Sequence, residues 1–155
     1  MSDLSEPPAA IVEDLLTRIA VGLDIDASVE VEETPETIEA RYEGDDLGVL
    51  IGHHGSLIDA IQHLAYRIAF RGGGPRKQVS VDAGGYRERR AVGLRSAGDQ
   101  AAETAIREGR AVSLDPMPAL ERKVVHEHLK TRHDVETYSE GQEPSRHLVV
   151  APLVD

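Results

Sequence analysis

The sequence predicts an α+β protein of two small α/β-sandwich-like domains. The first is ordered helix–strand–strand–helix–helix–strand (αββααβ) and the second helix–strand–helix–strand–strand (αβαββ). Three observations carry that reading. Apolar spacing switches repeatedly between a period near 3.6 and a period of two, the signatures of amphipathic helices and half-buried strands. The 155 residues are 40% apolar but only 3% aromatic, with no Trp and a single Phe, so the cores must be built from Val, Ile, Leu and Ala. A chain of this length makes one ordinary domain or two very small ones. Glycine clusters at Gly72-Gly73-Gly74 and Gly84-Gly85 interrupt the pattern. The second cluster marks the expected boundary, giving domains at 9–83 and 84–151 between a flexible leader (1–8) and a short tail (152–155).

The elements follow in order. From Ala9 to Gly22, the triplets Ile11, Leu15, Ile19 and Val12, Leu16, Leu23 form a helical stripe, with Gly22 as its expected C-terminal cap. Ala27, Val29 and Val31 then alternate with Ser28, Glu30 and Glu32. After Thr34-Pro35, Ile38, Ala40 and Tyr42 alternate with Thr37, Glu39 and Arg41, making two strands with an acidic solvent face. Leu47–Ile51 is a short apolar turn ending at Gly52. Ser56 is placed to cap the next helix, with Asp59 completing a capping-box-like S-x-x-D. That helix buries Leu57, Ile61, Leu64, Ile68 with Ile58, Ala65 and Ala69, and Val79 and Val81 mark a third strand ending at Asp82. Tyr86 to Arg107 is an Ala-rich helix closed by Gly109, which Gly93 and Gly98 weaken. Val112 and Leu114 give a short strand. Pro116-Met117-Pro118 opens a helix to about Lys130, and Val135–Ser139 and His147–Val150 pair across a turn at Glu140-Gly141.

Composition excludes several classes. With no Cys there are no disulfides, iron–sulfur clusters or thiol nucleophiles. No run of about 18 apolar residues spans a membrane, and no signal peptide is visible, so the expected location is the cytoplasm. The net charge is −11, which argues against a phosphate-rich partner until its distribution is read. Residues 1–49 hold 14 acids against Arg18 and Arg41, a net of −12. Residues 50–95 hold eight basic residues against Asp59, Asp82 and Glu88, a net of +5, and residues 96–155 carry −4. Fields are set by charge within about 8–10 Å, so the middle of the chain can still attract phosphate. Duplex DNA is a poor candidate. There is no G-x-x-x-x-G-K-[ST], and His126-Glu127-His128 sets its two imidazoles about 200° apart on a helix, so it is no metalloprotease motif. His53, His54 and His63 have no fixed carboxylate beside them. No metal, cofactor or enzymatic activity is expected.

Two motif sets carry the chemistry. Gly52-His53-His54-Gly55 lies between two short helices that follow two strands and precede a third. Glycines there let backbone approach a phosphate chain, and the free N–H groups at the start of the following helix point into the same loop. In the second half, Arg122 and His126 are four apart on one helix face, about 40° apart on the wheel, beside an apolar arc of Leu120, Val124, Val125 and Leu129. They are joined by Gly85-Tyr86-Arg87-Glu88-Arg89-Arg90, Pro116-Met117, and Thr137–Gly141 with Pro144-Ser145-Arg146.

The first set resembles the GXXG loop of a type II KH domain, which clamps about four backbone nucleotides of a single strand. Its apolar groove would come from Leu50, Ile51, Ile58 and the strand around Ile38–Ala40. The second set resembles the R-3-H domain, a single-stranded nucleic-acid module named for its Arg-x3-His pair. In this order, about residues 9–151 resemble the bacterial Jag family, also called KhpB or SpoIIIJ-associated protein. The resemblance implies a single-stranded RNA-binding protein, acting as an RNA chaperone or post-transcriptional regulator. It also implies a small KH-only partner (KhpA-like) and a link to cell elongation and peptidoglycan homeostasis. The family's loop usually carries Lys or Arg where this chain has His53 and His54.

The expected RNA contacts are therefore Ile51, Gly52, His53, His54 and Gly55 in the KH loop and groove. At the junction and in the second domain they are Arg87, Arg89, Arg90, Arg122, His126 and Arg146, because guanidinium is planar and always charged. Tyr138 is expected as a half-buried strand residue, and Glu121 as the partner of a neighbouring Arg or backbone N–H. The rival reading is a protein-binding adaptor, in which the acidic faces of residues 24–46 dock a basic partner.

Overall fold

The computed structural model describes residues 6–154. Residues 1–5 of the expected leader and Asp155 of the expected tail lie outside the described residues. The chain forms two compact units, the first ending at Arg87 and the second beginning at Glu88.

In the first unit, α1 (Pro8–Gly22) starts with Pro at its first position, where the missing N–H is no loss. Gly22 is its last helical residue and not the cap; the chain leaves the helix through Leu23, and Asp24 takes the left-handed conformation at φ 57°. Strands β1 (Ser28–Glu33), β2 (Thr37–Glu43) and β3 (Gln78–Ala83) form a sheet in the order β1-β2-β3. β1 and β2 are antiparallel, with Val31 opposite Ala40, whereas β2 and β3 are parallel, with Ala40 opposite Val81. A parallel pair needs a crossover, supplied here by α2 (Gly48–Ile51), a single 3-10 turn (His53–Gly55) and α3 (Ser56–Ala69).

Period-two alternation sends Ile38, Ala40, Tyr42, Val79, Val81 and Ala83 to one face, where Val12, Leu16 and Ala20 of α1 and Ile58, Ile61, Ala65 and Ala69 of α3 cover them. Tyr42 is wholly buried, its hydroxyl donating to Leu16 O at 2.7 Å, and burial pushes its phenol well above the ordinary range. The opposite face is the predicted acidic one. Arg41 reaches Glu30 (2.9 Å), Glu32 (3.3 Å) and Glu43 (3.5 Å) across it.

The second unit holds most of α4 (Tyr86–Glu108), then β4 (Val112–Ser113), α5 (Ala119–Leu129), β5 (Val135–Glu140) and β6 (His147–Pro152). Its antiparallel sheet runs β4-β6-β5, with the apolar β6 in the middle. The core is Leu94, Ala101 and Ala102 of α4 with Val125 and Leu129 of α5 over Val135, Leu148 and Val150. Gly98, a weak helix former, has a reason to be there: a Cβ on it would lie 2.9 Å from Val125 Cγ1. Gly93 meets nothing within 4 Å.

The apolar arc expected on α5 is rotated. Leu120 is 80% exposed, while Arg122 is only 7% exposed and lies on the packed side with Val125 and Leu129. The side facing the sheet is set by tertiary packing, which a wheel of residue types cannot resolve.

Candidate nucleic-acid interface

The glycine loop is a built turn. Gly52 ends α2 at φ 73°, ψ −173°, a region essentially closed to residues with a side chain, and a Cβ there would sit 2.9 Å from Leu57 Cβ. Gly55 is left-handed at φ 80°, and its Cβ would meet the Tyr86 ring at 2.8 Å. Between them His53 and His54 are exposed, their rings stacked at 3.8 Å, with His54 itself left-handed at φ 53°. The expected Ser56 cap is not formed. Gly55 occupies the cap position of α3, no side chain caps that end among the described residues, and the Asp59 carboxylate instead accepts from Arg87 at 2.7 Å. The first-turn amides of α3 therefore lack a side-chain acceptor beside two exposed imidazoles.

The expected apolar groove needs correction. Leu50, Ile58, Ile38 and Ala40 are fully or almost fully buried core residues. Ile51 keeps partial exposure. Core burial and groove lining draw on the same apolar pattern, so the sequence does not separate them.

Arg87 is held within the first unit. Its guanidinium donates to Asp59 (2.7 Å), Gln62 Oε1 (3.1 Å) and Val81 O (2.9 Å), and its backbone N–H to Asp82 Oδ1 (3.3 Å). In the second unit Arg90 makes a two-point pair with Glu121, at 2.7 and 3.1 Å, the partner expected for that acid. Arg89 is exposed. His128, which sequence reasoning leaves without a role, bonds both Asp99 oxygens at 3.0 and 3.1 Å.

Arg122 and His126 do come together. They line an open cleft of about 310 Å3 with Lys123, Thr137, Tyr138 and Ser139. Arg122 donates to Glu143 at 2.6 Å, and its Nε–H is buried without an acceptor among the described residues. His126 Nδ1 bonds the Thr137 hydroxyl. Tyr138, expected to be half-buried, is exposed at 47% and stands at the cleft edge. Lys123 and Glu143 were not singled out in the sequence. Lys123 could have been, as the next cation after Arg122. Arg146 is tied back by a 2.6 Å bond to Gly141 O and shapes the β5–β6 turn.

These observations describe two polar surfaces suited to phosphate. One is an uncapped helix start at a glycine turn. The other is a cleft with an unsatisfied guanidinium N–H, an imidazole, an ammonium and an aromatic ring.

Comparison with known proteins agrees with both halves. Residues 9–82 match the family model of the KhpA/KhpB KH domain, and residues 93–152 match that of the R-3-H domain. The chain is 37% identical over 138 residues to the RNA-binding protein KhpB of Lactiplantibacillus plantarum, covering 89% of this chain and 43% of that protein. It is 35% identical over 132 residues to the RNA-binding protein KhpB of Clostridium symbiosum, covering 85% and 60%. Against the Bacillus subtilis RNA-binding protein KhpB the identity is 32% over 138 residues, covering 88% and 66%. The chain thus spans between two fifths and two thirds of the length of these curated relatives. Among the described residues, no helix is long and apolar enough to cross a membrane.

Proposed function

Because the chain belongs to the KhpB family, we propose that it binds single-stranded RNA through both modules. It then acts as an RNA chaperone or post-transcriptional regulator in the cytoplasm, alongside a small KH-only partner and in support of cell elongation and peptidoglycan homeostasis. The relatives' printed names support the RNA. The observation that carries the reading is the glycine loop: Gly52 and Gly55 have no room for a Cβ, and the α3 start behind them is uncapped. Phosphates approach the loop past His53 and His54. Arg122, Lys123 and His126 form the second contact, and the exposed Arg89 in the first turn of α4 is the junction contact.

The test is fluorescence anisotropy of a labelled single-stranded RNA pool across salt. Wild type should weaken steadily as salt rises. The pair His53→Asp/His54→Asp should weaken it at all salts, and Lys123→Ala should lower the salt slope by about 0.7, one phosphate contact. Absence of binding at low salt, with capture of a basic protein on the acidic β1–β2 face, would replace this reading with the adaptor.

A further inference from the structure

The positive charge of the first unit is concentrated away from the glycine loop. From Ala60 to Val81 there is no acidic residue, while Arg67, Arg71, Arg76 and Lys77 fall within eleven positions, in a chain whose net charge is −11. Lys77 is neutralised by Glu33 at 2.5 Å. The three arginines are not. Arg67, Arg71 and Arg76 form no ion pair among the described residues, whereas Arg18, Arg41, Arg107, Arg110 and Arg132 each have a carboxylate.

All three arginines line one open cleft of about 380 Å3 at the C-terminal end of α3, floored by Tyr66, Phe70 and Gly73. Arg76 is fixed there. Its guanidinium donates to Tyr66 Oη at 3.2 Å and lies 5.9 Å from the centre of that ring, which itself leans on buried Phe70 at 5.5 Å. The adjoining loop is bare: a Cβ on Gly72, Gly73 or Gly74 would meet nothing within 4 Å, so a ligand backbone can lie against it. Glu6 and Asp14 line a neighbouring hollow that also includes Arg71, and Asp14 is engaged by Arg18 at 3.0 Å. The negative end of the helix dipole, roughly half a charge, makes cations comfortable here but cannot balance three of them.

We infer that this cleft is a second RNA-backbone site of the first unit, which takes the phosphates of a strand extending beyond the glycine loop. The inference rests on the proposed RNA-binding function and gives that function its main source of charge. The 14 residues of α3 separate the two sites by about 21 Å. RNA long enough to bridge that span gains the arginine contacts, and RNA that only fills the loop does not. Guanidinium suits the role because it can grip phosphate in two-point fashion while Tyr66 holds one of the three in place.

The experiment compares wild type with the triple variant Arg67→Gln/Arg71→Gln/Arg76→Gln in the full chain. The ligands are labelled single-stranded RNAs of about 20 and about 5 nucleotides. On the longer RNA the triple variant should bind roughly 10- to 100-fold more weakly at low salt, and its salt slope should fall by about 2, three contacts at about 0.7 each. On the shorter RNA it should stay within about 3-fold, whereas His53→Asp/His54→Asp weakens both. Changing all three arginines to Lys keeps the charge and should restore most of the slope. An unchanged slope and affinity on the longer RNA, with wild type binding, would overturn the inference and leave the glycine-loop reading standing. Wild type that binds neither RNA would overturn both. Arginine-dependent binding to phosphatidylglycerol vesicles with RNA binding unaltered would make the cleft a lipid site and overturn the inference alone.

Discussion

Gly55→Ala tests the glycine loop where its geometry is most demanding. Two penalties add. A left-handed backbone costs an alanine about 1–2 kcal/mol, and Gly55 stands at φ 80°. The new methyl would also sit 2.8 Å from Tyr86 Cε1 and 3.4 Å from its hydroxyl, contacts with a rigid ring. Overpacking of this kind costs about 1–3 kcal/mol. The first unit should lose about 2–5 kcal/mol, a lowering of its unfolding midpoint by roughly 8–40 °C for a domain of this size. Thermal unfolding followed by circular dichroism gives the size of the shift, and amide exchange assigns it to α3 and β3. Tyr86→Ala separates the two penalties. In that background Gly55→Ala should cost only the backbone part, about 1–2 kcal/mol. If Gly55→Ala shifts stability by less than about 0.5 kcal/mol, the ordinary range for surface changes, the reasoning from loop geometry is wrong.

Three further outcomes rest on the same structure. Within α4, Gly93→Ala should stabilise by about 0.5–1 kcal/mol through helix propensity, since nothing lies near its Cβ, whereas Gly98→Ala should destabilise by about 1–2 kcal/mol because the stiff Val125 stands 2.9 Å away; urea unfolding of both variants checks the opposite signs. Glu143→Gln removes the carboxylate that holds Arg122 at 2.6 Å, so RNA affinity should rise by about 3- to 10-fold with a steeper salt slope in the anisotropy titration. Tyr42 is an acid whose folded-state ionisation lies above its unfolded value, so the stability it confers is complete below about pH 10 and is lost as pH climbs beyond it. Tyr42→Phe removes the buried hydroxyl's bond to Leu16 O, a carbonyl that keeps its helical partner, and should cost about 0.5–1.5 kcal/mol at neutral pH and flatten the alkaline loss seen by circular dichroism.

Element order was legible because each helix and strand has a strong period of its own, and the glycine loop because its flanking elements give it meaning. The two glycines are required by the turn itself, through the Leu57 and Tyr86 contacts that exclude a side chain. What stayed hidden depends on long-range contact. Arg122 is buried because α5 turns that side inward, and its partner Glu143 lies 21 positions away. The role of His128 waits on Asp99, 29 positions away. Ser56 has the composition of a cap, yet Gly55 takes that place because the turn must enter α3 left-handed. The arginine cleft was visible only as a local charge excess, since sequence spacing does not show which cations have acids beside them.

The network around Arg87 has a bearing on solubility. β3 is an edge strand, and an edge offers unpaired N–H and C=O groups to any passing strand, the usual start of β-aggregation. At the middle of that edge, Val81 N–H donates to Gln62 Oε1 at 2.9 Å and Val81 C=O accepts from Arg87 Nε at 2.9 Å. The two side chains, themselves joined at 3.1 Å, stand in for the neighbour the sheet lacks. They seal the ladder against self-association at the position where an intruding chain would otherwise gain its first pair of hydrogen bonds.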